Sequence, residues 1–225
     1  MHLVLMLVLT FSTGIIDAVG YLGLDRVFTG NMTGNVVILG MALMGADGLP
    51  VLGPSVALVG FVLGAAIAGR VLKKEDAGWS QRTTVLIAVV GLFLVLTALA
   101  LFADLHQVSA GAALSVTGFI AGAMGLQAAT ARHLAVKDVT TVVVTSTLTG
   151  LAADSPLGGG NGKYWERRLL AVALILLGAA AGAAFLQVHI GVGVLFTGVL
   201  AIGVAMAGER SRQRMASASA LVETS

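Results

Sequence analysis

Phe28-Thr29-Gly30-Asn31-Met32-Thr33-Gly34-Asn35 is a polar, glycine-rich, uncharged stretch set between long apolar runs. Its counterpart in the second half is Asp138-Val139-Thr140-Thr141-Val142-Val143-Val144-Thr145-Ser146-Thr147-Leu148-Thr149-Gly150. In a water-soluble protein both would read as loops. The composition forbids that reading. The chain is 57% hydrophobic and only 11% charged, with a mean hydropathy of +0.98, whereas a soluble domain carries roughly 25% charged residues. The apolar residues gather into runs near the 20 residues or so that a bilayer crossing needs. The fold class is therefore an all-α polytopic membrane protein, and the two polar stretches lie within it.

Working outward from the first stretch, the apolar segments run from about Leu3 to Leu22, Leu52 to Leu72, Thr83 to Ala103, Val108 to Ala131, Leu169 to Leu186 and Ile190 to Ala207. Val36 to Met44, behind the first polar stretch, is too short to cross alone. Leu3 to Phe11 has the apolarity of a signal peptide but lacks a basic lead-in and a good cleavage site, so it reads as an uncleaved first helix. There is no cysteine, which removes disulfides, thiol catalysis and cysteine-ligated metals.

The two halves carry the same landmarks in the same order. Thr13-Gly14-Ile15-Ile16 parallels Thr117-Gly118-Phe119-Ile120, Met32-Thr33-Gly34 parallels Leu148-Thr149-Gly150, and Gly60-x-x-x-Gly64 parallels Gly178-x-x-x-Gly182. These matches indicate internal repetition. The expected domains are a first membrane repeat over residues 1–104, a second over 105–208, and a basic tail over 209–225, cytoplasmic and disordered in its last part. With both polar stretches broken or re-entrant, six helices span, three per half. Of the 13 basic residues only Arg26 then lies outside, satisfying the positive-inside rule. A seven-helix arrangement, with residues 28–44 crossing, satisfies it as well. Three helices per half makes the repeats inverted, and the polar segments then enter from opposite sides, as in many transporters.

Among candidate site residues, Asn31 and Asn35 share a helical face, Thr33 points elsewhere, and Gly30 and Gly34 permit an irregular backbone. Thr141, Thr145 and Thr149 form one stripe if helical, with Thr147 off it. These groups suit a polar solute; they equally suit hydrogen bonding between helices, at about 0.6 kcal/mol per contact. Asp17 is the acidic residue set well inside an apolar run. It reads either as a proton- or charge-coupling group or as a structural acceptor, paired with Arg26 or Arg132 or receiving backbone amides at the start of a broken helix. Gln127 is the similar candidate in the second half. The four histidines have no metal-ligand spacing, and Gly162-Lys163 lacks the remainder of a phosphate loop. No metal, cofactor, catalytic set or nucleic-acid footprint is expected.

Gly14-Ile15-Ile16-Asp17-Ala18-Val19 with Phe28 to Asn35, Gly125-Leu126-Gln127, Asp138-Val139-Thr140-Thr141 and Thr145-x-Thr147-x-Thr149-Gly150 resemble the YoaK-type family of bacterial inner-membrane proteins. Ala128 departs from that pattern, where an amide residue would follow the Gln, and the N-terminus is shorter. The resemblance implies a multi-pass plasma-membrane protein and supplies no substrate. The expected function is a small-solute transporter or channel with Asn31, Thr33, Asn35, Thr145, Thr147 and Thr149 lining a central site, tuned by Asp17, with Gln127 and Thr141 behind it. The alternative is a non-transporting scaffold or partner-binding protein whose polar motifs are packing. Expected partners are the lipid bilayer and a small solute, with room for a homo-oligomer.

Overall fold

The computed structural model describes residues 1–46, 48–103, 110–134 and 144–223. Among these, all regular structure is helical: α1 (His2–Gly23), α2 (Met32–Leu43), α3 (Leu52–Leu72), α4 (Gln81–Ala103), α5 (Ala110–Leu134), α6 (Val144–Ala153), α7 (Trp165–Leu186) and α8 (Ile190–Glu223), with a short 3-10 turn at Pro156–Gly158. Six of these, α1, α3, α4, α5, α7 and α8, contain windows long and apolar enough to span. α2 has 12 residues, about 18 Å of helix, against a hydrocarbon core of about 30 Å.

Glycine sets the helix pairing. On α3, a Cβ at Gly60 would strike the Gly118 carbonyl and one at Gly64 the Gly122 carbonyl, both on α5. On α7, Gly178 and Gly182 meet the carbonyls of Phe11 and Ile15 on α1 in the same manner. In both pairs residue numbers rise together, so the helices are parallel. Such small-residue seams let backbones approach in lipid, where no hydrophobic force drives helices together. α4 and α8 also meet glycine to glycine. Gly91 faces Gly198 and Ile202, Gly198 faces Val95, and Trp79 covers Gly208 while Phe102 covers Gly191. Here the numbers run in opposite senses, so these two are antiparallel.

The pairings α3–α5, α1–α7, α4–α8, α1–α8, α4–α5, α2–α3 and α6–α7 map onto themselves when α1 to α4 are exchanged for α5 to α8. The large outward-facing side chains are apolar, including Val59, Val62 and Leu63 on α3 and Leu176 and Leu177 on α7, as a lipid boundary requires.

α8 continues without a break through Glu209 to Glu223. Arg212 Nη2 pairs with Glu209 Oε1 at 2.5 Å, Gln213 Nε2 donates to the same oxygen at 2.9 Å, and Thr84 Oγ1 donates to Glu209 Oε2 at 2.9 Å. The i, i+3 and i, i+4 pairs stabilise a helix, and Thr84 ties it to the start of α4.

These seams make a graded prediction. Gly64→Leu and Gly182→Leu should each destabilise the detergent-purified protein by about 1–3 kcal/mol or more through overpacking against backbone. Gly69→Leu, whose Cβ would meet open space, should leave the unfolding midpoint within about a degree of wild type. Thermal unfolding of the three variants side by side checks this.

Candidate functional site: a carboxylate-clamped re-entrant helix

α1 ends where the chain reverses. Leu24 caps it by donating its N–H to the Gly20 carbonyl. Asp25 and Arg26 come next, at φ +57° and +58°, a left-handed pair that costs side-chain-bearing residues roughly 1–3 kcal/mol each. The chain then runs back along α1, and Thr29, Gly30 and Asn31 arrive beside Asp17. All three of their backbone N–H groups donate to Asp17 Oδ1, at 3.1, 2.6 and 3.2 Å. Thr29 Oγ1 donates to the Ile16 carbonyl at 3.1 Å.

α2 starts at this point. Asn31 is its N-cap, accepting from Gly34 N at 3.2 Å. Asn35, fully buried, holds the approach to α2 from both sides: its Oδ1 accepts from Phe28 N at 2.9 Å and its Nδ2 donates to Phe28 O at 2.6 Å. The Phe28 ring stacks on Tyr21 with centroids 4.8 Å apart and lies over Gly34, where a Cβ would approach it to 2.6 Å. Beyond α2, Arg26 Nη1 donates to Gly48 O at 3.2 Å, so the segment leaves and returns at the same end of α1. Residues 28–44 are therefore re-entrant and do not form a seventh span. Asp17 lies six residues before Gly23, about 9 Å along the helix. The N-terminus of α2, with N–H groups that have no partner within the helix and a positive dipole end, thus points into the protein and is met by a carboxylate.

A second polar group lies beside the clamp. A Cβ on Gly30 would fall 3.2 Å from Thr13 Cγ2 and 3.3 Å from Asp17 Oδ1, so Thr13, Asp17 and Gly30 converge. Thr13 Oγ1 donates to Leu9 O at 2.9 Å and accepts from Gln127 Nε2 of α5 at 3.3 Å. Gln127 is wholly enclosed, and its Oε1 is a buried acceptor with no hydrogen-bond partner among the described residues. Such an orphan is uncommon and marks a place for a donor.

The sequence-based candidates divide accordingly. Asp17, Asn31 and Asn35 come together, but as the scaffold of the re-entrant turn. Asp17 binds backbone amides in place of Arg26 or Arg132. Thr33 is exposed. Thr147 is buried, while Thr145 and Thr149 are exposed, so that part of the threonine stripe faces outward and the off-stripe residue faces in. Thr141 lies outside the described residues. α2 and α6 make no mutual contact among the described residues, so the two polar segments are not joined there. α6 packs on α7, where Arg168 Nη1 reaches Gly150 O at 2.5 Å and Asp154 Oδ2 at 2.6 Å. Matching Gly14 to Gly118 places Ala121 opposite Asp17, with Gln127 six residues further on. Thr13, bonded to Gln127 and neighbouring Gly30, is the site residue sequence reasoning missed as chemistry; its i, i+4 spacing to Asp17 was the available signal.

These features define a polytopic membrane protein whose short re-entrant helix is pinned inside the helix bundle by a carboxylate. The family model described as "Protein of unknown function (DUF1275)" matches residues 5–208, and the chain belongs to that family. The UPF0700 transmembrane protein YoaK of Bacillus subtilis (strain 168) is 32% identical over 155 residues, covering 67% of this chain and 65% of that protein. The matched stretch is thus just under two thirds of the relative's length. No solved structure matches the chain. The resemblance read from the motifs is borne out.

The clamp predicts an order of stability losses. Asp17→Ala leaves three N–H groups without their charged acceptor and should cost about 3 kcal/mol. Asn35→Ala should cost about 1–2 kcal/mol, and Thr33→Ala less than about 0.5 kcal/mol. Reversible unfolding in mixed micelles, followed by Trp fluorescence, ranks the three.

Proposed function

We propose that this protein is a small-solute transporter of the bacterial inner membrane, with its C-terminus cytoplasmic. In this reading residues 1–104 and 105–208 are inverted three-helix repeats, and substrate meets them at the Thr13–Asp17–Gln127 cluster. The observation that carries it is Gln127 Oε1, a buried acceptor without a donor among the described residues, on an amide bonded to Thr13 next to the clamp made by Asp17 Oδ1. A scaffold has no use for such an orphan; a site that a polar solute or ion enters and leaves does. The antiparallel meeting of α4 with α8, and the helix pairings that survive exchange of the halves, support inversion, because helices related by an axis in the membrane plane must run oppositely. Asn31 would lie at the entrance to the cluster, and Asp17 Oδ1 and Asn35 would hold that entrance in shape. Thr147, matched to Asn31 through Gly34 and Gly150, would serve the opposite side.

A second reading is favoured by one observation of its own. Asp17, Asn31 and Asn35 all direct polar atoms at the backbone around α2, as a non-transporting scaffold would.

The absence of cysteine allows a direct test. Single cysteines at Asn31, Thr147 and Ser217 are exposed to a membrane-impermeant thiol reagent in right-side-out and inside-out vesicles. The expected result is labelling of Asn31→Cys from outside only, and of Thr147→Cys and Ser217→Cys from inside only. Failure of both Asn31→Cys and Thr147→Cys to label from either face, with Ser217→Cys labelling normally, would mean the motifs are dry and the scaffold reading holds.

A further inference from the structure

The connection from α6 to α7 carries features the transport reading does not use. Tyr164 precedes α7 at φ +66°, a left-handed conformation that an aromatic residue rarely adopts. Two cations lie over the Tyr164 ring: Lys163 Nζ is 5.3 Å from its centroid and the Arg167 guanidinium 5.0 Å from it. Arg168, a turn away, is engaged with Asp154 and Gly150. Three cations therefore share this corner with two carboxylates, Asp154 and Glu166, and one of the carboxylates is already paired.

Two adjoining hollows meet here. One, about 620 Å³, is of mixed polarity and includes Asp154, Asn161, Lys163, Tyr164 and Arg168. The other, about 740 Å³, is mostly apolar and includes Leu148, Leu151, Leu157, Trp165 and Leu169, with Asn161 common to both. Leu157 is completely exposed and Trp165 half exposed, and Trp165 is the first residue of a spanning helix. An indole at a helix end belongs at the headgroup level of a membrane. A fully exposed leucine beside it is costly in water and favourable against a hydrocarbon chain.

We infer that this corner is a binding site for one anionic phospholipid, its phosphate drawn to Lys163 and Arg167 beside the Tyr164 ring and an acyl chain in the groove lined by Leu148, Leu157 and Trp165. Charge complementarity selects an anionic headgroup, and basic pockets at the membrane ends of helices take such lipids. The apolar groove selects a lipid over a free phosphate. Occupancy would also hold α6 against α7, since Leu148 and Leu151 come from one and Trp165 and Leu169 from the other.

The test uses the full chain in detergent, titrated with phosphatidylglycerol or phosphatidylcholine and read by native mass spectrometry. Phosphatidylglycerol should bind roughly 25-fold more tightly than phosphatidylcholine, at roughly fivefold for each of the two basic residues. Lys163→Gln with Arg167→Gln should abolish that preference, and Leu157→Ser should weaken both lipids while keeping the preference. Glycerol phosphate, the headgroup chemistry without chains, should not displace the lipid. Equal binding of the two lipids by the wild-type chain, which needs no variant to fold, would overturn the inference. So would a preference retained in the double variant, or displacement by glycerol phosphate alone.

Discussion

A broken helix inside a bilayer leaves N–H groups with no partner in the helix, and here one carboxylate oxygen accepts from three of them. Each unsatisfied group would cost several kcal/mol in hydrocarbon. Asp17 Oδ1 removes that cost for Thr29, Gly30 and Asn31, and the N-terminal dipole of α2 lowers the cost of keeping a carboxylate there. The arrangement is mutual. The carboxylate needs donors as much as the amides need an acceptor, so no lysine or arginine is required beside it. Three later features of the chain depend on this knot: the bidentate Asn35–Phe28 pair, the return of the chain at Gly48, and the start of α3, where Gly53 lies against Val27.

The second half reaches a similar short helix by other means. Where the first half has Asp17 and Asn35, the matched positions are Ala121 and Leu151. Arg168 instead binds the C-terminal end of α6 through Gly150 O. One half thus compensates a helix N-terminus with an anion and the other a helix C-terminus with a cation, both using the macrodipole. The helix pairings in both halves rest on glycine seams, which tolerate differences among the polar residues between them.

How much of this architecture is legible in the sequence depends on the range of each interaction. The six spans are readable because hydropathy is local and bilayer thickness fixes the length. The Gly60/Gly64 and Gly178/Gly182 seams are visible as spacings, though their partners, Gly118 and Gly122 on α5 and Phe11 and Ile15 on α1, are not. Re-entrance of residues 28–44 is one of two readings that charge placement allows; the Arg26–Gly48 bond decides it, and that contact has no sequence signature. Reception of backbone amides is one of several roles open to Asp17 in the sequence. Its donors lie 12 to 14 residues away, beyond any helical period. Thr145 and Thr149 do share a stripe, yet which face of a helix is buried depends on the neighbouring helix, and α6 turns Thr147 inward. The Thr84–Glu209 bond near the end of α8 has no sequence signature either, since it joins residues 125 apart.

The most direct measurement is amide hydrogen exchange at Thr29, Gly30 and Asn31, in wild type and in Asp17→Ala, in lipid nanodiscs. The clamp predicts strong protection of these three amides in wild type. It predicts a loss of at least about tenfold in the variant, the equivalent of one hydrogen bond to a charged group, with the amides of α4 and α8 unchanged. Fast exchange at residues 29–31 in wild type, or protection that survives removal of the carboxylate, would contradict it.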